Sequence, residues 1–324
     1  MNRTRRTVAA MVPALAAAAA LPGLAACAAP RETPGVGAPR AEALARGVYL
    51  FAGAVGLADP QNLGRIGNAG FIIGETGVLA IDTGTSHAHG QALLRAIREV
   101  TDKPVQLALV THTRPEFLFG GSAFREAGIP VVMHEKTARL MASRCETCLK
   151  QLRQSVGEAA MQRTAMYPPD RQFSASHTVD GIGRAVRVLY FEHSSGPGDI
   201  AVFDEPGGVL FGGGLLDNER IPDIQDAQLE GWKRALAALR GLRVNTLAPG
   251  HGAAASSALI TRVERYLLQL EARARALAEA GTSLIDVPDA TLLPEFSHWA
   301  QYDSIHPRNA TIAYLRFERE LFFK

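Results

Sequence analysis

Residues 105–117, with the sequence VQLALVTHTRPEF, decide the fold and hold much of the chemistry. The stretch 105–111 is apolar and rich in β-forming residues, which predicts a buried strand. His112, Arg114 and Glu116 follow where that strand ends. Loops that leave buried strands are held rigidly, and binding or catalytic groups are best built there. We therefore expect a functional site at the end of this strand.

Two more histidines follow apolar strands in the same way. His193 stands in the loop EHSSGPGD at 192–199, and His251 stands in PGHG at 249–252. A glycine run, FGGG at 211–214, ends another strand between them. Two β-rich halves, each followed by helices, predict an α+β protein with two sheets packed face to face and helices outside.

The order of these motifs resembles the metallo-β-lactamase superfamily over residues 47 to about 255. The resemblance implies a four-layer αβ/βα sandwich, here extended by C-terminal helices. Its pieces are DTG at 82–84, His112, the His193 loop with its GD at 198–199, FGG at 211–213, and PGHG at 249–252.

Within the superfamily the chain looks most like the quinoprotein relay system zinc metallohydrolases. The narrower resemblance rests on RIP at 220–222, GW at 231–232 and HPRN at 306–309. It implies a periplasmic setting beside a quinoprotein dehydrogenase system, and a hydrolase of unknown substrate.

The chain departs from the superfamily at the metal ligands. The family's strand-end motif is T-H-x-H-x-D-H, and this chain has THTRPEF at 111–117. The resemblance therefore keeps His112, His193 and His251 as ligands. At the other ligand positions of the family, this chain has Arg114, Glu116 and Phe117. Gly214 stands where the family has the bridging aspartate.

Arg114 argues against a dinuclear zinc site. A guanidinium stays protonated and offers no lone pair to a metal. At ~4 Å, its charge and that of a dication repel by roughly 8 kcal/mol at an effective dielectric of 20.

Two alternatives remain at this stage. In the first, one Zn²⁺ is held by His112, Glu116, His193 and His251 and activates a water, with Glu116 as ligand or general base and Arg114 holding a carboxylate or oxyanion. In the second, no metal binds. Arg114 then pairs with Glu116 and grips an anion, and the chain is a binding or accessory protein.

Asp82 is the third candidate catalytic residue, with Arg114 and Glu116. The resemblance implies that it lies under the site and supports ligand histidines. The alternative is an Asx-turn that ends a strand.

The only cysteines beyond residue 27 are Cys145 and Cys148, in the sequence CETC. In an oxidising compartment a disulfide is the first interpretation. The surrounding stretch 137–152 has a helical pattern, and an i, i+3 pair within a helix bridges only with distortion. A redox or metal-binding role is the alternative.

The first 26 residues resemble an export signal, with Arg3, Arg5 and Arg6 before an alanine-rich apolar stretch at 8–20. The signal ends in LAAC at 24–27, which resembles the bacterial lipobox and predicts a lipid on Cys27. We therefore expect a periplasmic lipoprotein. Ala28 lacks the acidic side chain that signals inner-membrane retention, which favours the outer membrane.

The predicted domains are a signal peptide (1–26), a proline-containing tether (27–45), the metallo-β-lactamase-fold domain (46–255) and a C-terminal helical extension (256–324). Lys and Arg number 34 against 32 Asp and Glu, without a basic stripe in the mature part, so nucleic acid is not an expected partner. The expected partners are a small-molecule substrate or anion, a membrane through the lipid, and a quinoprotein dehydrogenase system.

Overall fold

A computed structural model describes residues 40–322. Its first sheet has seven strands in sequence order, antiparallel from β1 to β4 and parallel from β4 to β7. These strands are β1 (Ala41–Ala45), β2 (Val48–Phe51), β3 (Ala69–Ile73), β4 (Val78–Ile81), β5 (Val105–Val110), β6 (Val131–His134) and β7 (Arg171–Phe173).

The second sheet has five strands in the order β12-β11-β10-β9-β8. All its pairs are antiparallel except β11 with β12, which run parallel. The strands are β8 (His177–Thr178), β9 (Val186–Tyr190), β10 (Ile200–Asp204), β11 (Val209–Asp217) and β12 (Thr246–His251).

Helices cover the outer face of each sheet. The helices are α1 (His87–Val100), α2 (Pro115–Leu118), α3 (Gly121–Glu126), α4 (Glu135–Val156), α5 (Leu229–Arg240), α6 (Ala258–Glu279), α7 (Val287–Ala290) and α8 (Tyr302–Phe322), with a 3-10 turn at Pro294–Phe296. Apolar residues of α1, α3 and α4 form one buried cluster with the first sheet. Those of α5, α6 and α8 form another with the second sheet.

The two sheets face each other across a third apolar cluster. Leu79, Ile81 and Leu109 of the first sheet meet Val202 and Phe211 of the second. Two helical layers and two sheets make four layers, so the predicted α+β sandwich is confirmed. Alternate residues of these strands face the opposite sheet, which explains their almost uninterrupted burial.

The two ends of the described chain differ from the sequence predictions. Residues 41–45, predicted to belong to the tether, form β1 and pair antiparallel with β2. The amphipathic pattern at 311–322 predicts a last helix with Asn309 as its N-cap, but helix α8 begins at Tyr302 and contains Pro307. Asn309 is therefore inside α8, where its buried amide donates to the Pro222 carbonyl at 2.6 Å. The predicted signal peptide, Cys27 and the rest of the tether lie outside the described residues.

Parallel pairing gathers the site at one edge of each sheet. Strands β4 and β5 end side by side, which places Asp82 next to Thr111 and His112. Strands β11 and β12 also end together, with Asp217 and His251 as register partners. In the range 40–322, no helix has the length and apolar character needed to cross a membrane.

Candidate functional site

The first part of the site is a polar chain that runs from Asp82 to His112. Asp82 is buried and accepts hydrogen bonds from the Thr111 backbone N–H at 2.8 Å and from its hydroxyl group. The same hydroxyl lies 2.7 Å from Nδ1 of His112. Burial raises the pKa of Asp82 to about 8. Asp82 thus lies beneath the site and positions His112 through Thr111.

The His112 ring is enclosed on several sides. It packs against Phe117, with ring centroids 4.2 Å apart, and against the backbone of Gly214. Burial, helped by the charge of Arg114, lowers the pKa of His112 to about 3, so the imidazole is neutral. Its Nε2 is buried and has no hydrogen-bond partner. One polar atom of the strand-end motif is therefore free for a ligand.

His251 is held between two carboxylates. Its Nδ1 is hydrogen-bonded to an Asp217 oxygen at 2.7 Å, and its Nε2 is hydrogen-bonded to a Glu116 oxygen at 3.1 Å. Although burial pushes the pKa of Glu116 upward, the hydrogen bond from His251 and the charges of Arg114 and Arg220 lower it to about 2.

Asp217 is also ionised. Burial alone would raise its pKa, but His251 and Arg114 hold it below its usual value. Both ring nitrogens of His251 are therefore taken up by carboxyl groups, and neither is free to bind a metal ion in this arrangement.

Arg114 lies among these groups. Its Nη1 is 3.6 Å from Asp217, and its Nη2 donates to the Asp223 carbonyl at 3.3 Å. The sequence predicted a pair between Arg114 and Glu116, but the carboxylate closer to the guanidinium is that of Asp217. The Asp217 Oδ2 atom is buried and has no hydrogen-bond partner among residues 40–322. A guanidinium has five N–H donors, and Arg114 forms one hydrogen bond within the part of the chain that the structure describes.

A second arginine, Arg220, also has N–H donors that are not used. Arg220 is 8% exposed, donates from Nη1 to the Gly56 carbonyl at 2.9 Å, and keeps a buried Nε without a partner. Arg114 and Arg220 both line a cleft of about 600 Å³. Other residues that line it are His112, Glu116, Arg144, Cys148, Asp199, Asp223 and Asp226.

The sequence predicted that His193 would lie beside the other metal ligands, and the structure places it elsewhere. This side chain is exposed, and its Nε2 donates to the Asp226 carbonyl at 2.7 Å. A backbone acceptor thus takes the nitrogen that the sequence assigned to a metal. Of the four predicted ligands, the structure brings together Glu116 and His251 by direct contact and His112 through Phe117.

Close packing also limits what side chains the site can accept. A Cβ on Gly214 would lie 2.8 Å from Asp199 and 2.9 Å from His112. The aspartate expected from the superfamily at this position has no room. Phe117, at another ligand position, is fully buried between the rings of His112 and His251.

These residues do not fit a metal ion as they are arranged. A zinc site needs three or four donors around one point. Within residues 40–322, no group of three or more His, Cys, Asp or Glu side chains could hold one ion. Both ring nitrogens of His251 bond to carboxyl groups, His193 bonds to the backbone, and the cation of Arg114 lies beside Asp217.

Cys145 and Cys148, for which a disulfide was the first interpretation, are both free cysteines in this structure. Both lie on α4 at i and i+3. Side chains at this spacing have Cβ atoms about 5–6 Å apart, whereas a disulfide needs about 3.5–4.5 Å. The helix would have to distort to close the bond.

Sequence reasoning missed Asp217 because it ended the strand after 211 and considered only Gly214 as the acidic position. The signal was present: the apolar run at 209–216 ends in an aspartate, as strands that carry functional groups do. Strand β11 is nine residues long and delivers Asp217 directly to His251.

The fold is a four-layer αβ/βα sandwich, and the site is a histidine-bearing cleft at one rim of it. Together they define the class of protein to which the chain is compared. The sequence profile of the metallo-beta-lactamase superfamily matches residues 63–251, more than half of the chain. The chain belongs to the metallo-β-lactamase superfamily. Members of this superfamily share the fold of metal-dependent hydrolases, and they typically bind zinc.

Solved structures agree on the fold. A metallo-beta-lactamase from Pontibacter korlensis is 21% identical, with a TM-score of 0.58 over 71% of this chain and 99% of that one. The DIM-1 metallo-beta-lactamase is 16% identical, with a TM-score of 0.56 over 71% and 97%. TMB-1 is 15% identical, with a TM-score of 0.57 over 73% and 99%. No curated protein matches the chain.

Proposed function

We propose that this protein is a metal-independent member of the superfamily that binds a small carboxylate-bearing molecule in its cleft. The observation that carries the proposal is the guanidinium of Arg114, which lies in the strand-end motif with most of its donors unused. Arg220, buried with an unpartnered Nε, lines the same cleft. Planar guanidinium groups bind carboxylates with two parallel hydrogen bonds.

The first experiment measures anion binding by thermal shift with succinate, acetate and phosphate. Wild-type protein should be stabilised by a carboxylate, because binding to the folded state raises its stability by mass action. Arg114→Gln should lose that stabilisation. Arg139→Gln is the matched control, since Arg139 is 68% exposed and pairs only with Glu135. Equal stabilisation of all three proteins would contradict the proposal.

A second candidate is a mononuclear metal hydrolase, and one observation favours it. His112 Nε2 is buried without a partner, close to the contact between Glu116 and His251. Metal analysis after zinc loading separates the candidates. The primary proposal predicts substoichiometric zinc in the wild type and more in Arg114→His, which exchanges a cation for a ligand. One tightly held zinc per wild-type chain would establish the second candidate.

We further propose that the protein is a periplasmic lipoprotein tethered through Cys27, with a quinoprotein dehydrogenase system as partner. Support for the anchor is the sequence before residue 28, and support for the partner is the narrower resemblance alone. Growth with an alkyne-labelled fatty acid should label the wild type and leave Cys27→Ser unlabelled. Equal labelling of both proteins would contradict the lipid site.

A further inference from the structure

An exposed apolar loop follows the second strand of the first sheet. Val55 is 78% exposed and Leu57 is 58% exposed, although both side chains are aliphatic. Gly56 lies between them, and a Cβ added there would meet no atom within 4 Å. These three residues, which we name the VGL loop, therefore project into open space. Large apolar side chains that project together from a folded surface mark a place of contact.

The described chain begins beside this loop. Arg40 precedes β1, and Ala41 at the start of β1 is the register partner of Phe51, the last residue of β2. The VGL loop leaves from the same end of β2. Residues 28–39 separate Cys27 from this point, and a segment of that length spans at most about 45 Å when fully extended. A lipid on Cys27 therefore keeps this end of the sheet close to the membrane.

Two arginines lie at the base of the loop. Arg40 is exposed, and the Arg65 carbonyl accepts a hydrogen bond at 2.7 Å from the backbone of Ala54, which directly precedes the VGL loop. Neither arginine forms an ion pair with another residue in the range 40–322. The Nε atom of Arg65 is also buried without a hydrogen-bond partner. Both side chains therefore keep donors for an anionic group.

The acidic groups at this end of the sheet do not neutralise these cations. Asp59, between β2 and β3, accepts a hydrogen bond from the Asn62 backbone at 2.7 Å. Glu42 is exposed on β1. A third arginine, Arg95 on α1, is near enough for its charge, after the larger effect of burial, to lower the pKa of Arg65. The exposed apolar loop thus stands in a surface of net positive charge.

We propose that the VGL loop docks on an anionic phospholipid surface. Val55 and Leu57 enter the boundary between headgroups and acyl chains, while Arg40 and Arg65 contact lipid phosphates. The inference extends the lipid anchor proposed at Cys27, because an anchor and a second contact on the same face act together. The cleft opens beside the docked loop, since Arg220 donates to the Gly56 carbonyl at 2.9 Å.

The first test measures co-sedimentation of the chain from Ala28 to Lys324 with lipid vesicles. This chain contains the whole described fold and lacks Cys27, so its binding does not depend on the lipid. We expect it to bind vesicles of equal parts phosphatidylcholine and phosphatidylglycerol, and to bind phosphatidylcholine alone about tenfold more weakly. Failure of fatty-acid labelling at Cys27 and failure of this binding are therefore separate results.

Matched variants locate the contact. Val55→Ser combined with Leu57→Ser should weaken binding about tenfold, because affinity scales with the apolar area that enters the interface. Ile285→Ser, which changes an apolar side chain that is 83% exposed elsewhere, should leave binding unchanged. Arg65→Gln should weaken binding about fivefold at low salt. Arg234→Gln, at an exposed position on α5, is its control.

Circular dichroism checks that each variant folds, and Arg40→Gln at an exposed position provides the same charge test if Arg65→Gln does not fold. Three results would overturn the proposal: no binding to anionic vesicles, equal binding to both kinds of vesicle, or an equal loss of binding in the loop variant and in Ile285→Ser.

Discussion

At the scale of single residues, His251 decides what the site can do. Its two ring nitrogens face Asp217 and Glu116, which are both ionised. The ring therefore bridges two acidic groups with both of its nitrogens, whereas a histidine that binds zinc keeps one nitrogen for the metal. Arg114 places a cation beside Asp217. These pairings favour a cleft that is electrostatically balanced without an ion.

Asp217→Asn tests this network. The Asp217 side chain is 1% exposed, and the loss of its charge leaves Arg114 without its nearest buried carboxylate and His251 without one of its two partners. Breaking a buried pair in this way costs about 3 kcal/mol. Urea unfolding should show a loss of this size in the free energy of unfolding. Glu135→Gln is the control, because its partner Arg139 is 68% exposed and the pair contributes under about 1 kcal/mol.

Several residues of the site could be predicted because their positions follow from strand order. His112, Arg114 and Glu116 stand directly after a buried strand, and His251 after another, so the fold brings them to one rim. His193 could not be predicted in the same way. It lies in an irregular loop, where the direction of a side chain depends on a local partner, here the Asp226 carbonyl.

At the scale of elements, β5 with α2 and β11 with β12 form the walls of the site. Pro115, inside the strand-end motif, begins α2, and this helix turns Glu116 toward His251 and buries Phe117. Proline is favoured in the first turn of a helix because the backbone N–H groups of that turn have no carbonyl partner within the helix, so the missing N–H of proline costs nothing. The sequence showed the strand and the motif, but a four-residue helix carries too little periodicity to be predicted.

Gly214 on β11 provides a test at this scale. Its φ is not in the left-handed region, so a substitution there measures the contacts alone. An added Cβ would lie within 3.0 Å of His112 and Asp199. Gly214→Ala should destabilise the protein by about 1–3 kcal/mol in thermal or urea unfolding.

Gly214→Asp, which restores the residue expected from the superfamily, should be less stable than Gly214→Ala. We also expect it to gain no zinc, because the longer side chain meets the same neighbours. Stable folding together with stoichiometric zinc would show that the cleft opens more readily than its packing indicates.

The sequence predictions that failed at the two ends of the described chain also have physical causes. Residues 41–45, AEALA, look like a continuation of the tether, yet they pair with β2 and complete the sheet edge. Backbone pairing needs no particular side chains, so a short alanine-rich strand leaves little signal. The start of α8 lies before the amphipathic pattern at 311–322, because packing against α6 keeps the helix continuous through Pro307 in its first two turns.

At the scale of the whole molecule, Asp82 links stability to pH. The folded chain keeps the Asp82 proton up to about pH 8, whereas the unfolded chain releases it near its ordinary value of 3.8. Between these values the folded state binds more protons, so Asp82 makes the protein less stable as pH rises from about 4 to about 8.

Asp82→Asn should remove this slope. An asparagine keeps an acceptor for Thr111 and tolerates the left-handed backbone, where Asp82 has φ of 58°. Free energies of unfolding measured from pH 5 to pH 8 should show the variant gaining on the wild type as pH rises. A constant difference across this range would mean that Asp82 is ionised in the fold.

Asp217 and Glu116 together engage both ring nitrogens of His251, so neither nitrogen is left for a metal ion. Nitrogen-15 NMR of the imidazole rings, with His251→Gln to assign the signals, measures this arrangement in solution. Added zinc should leave both ring-nitrogen resonances of His251 unchanged. A shift of either resonance on zinc binding would show that His251 is a metal ligand.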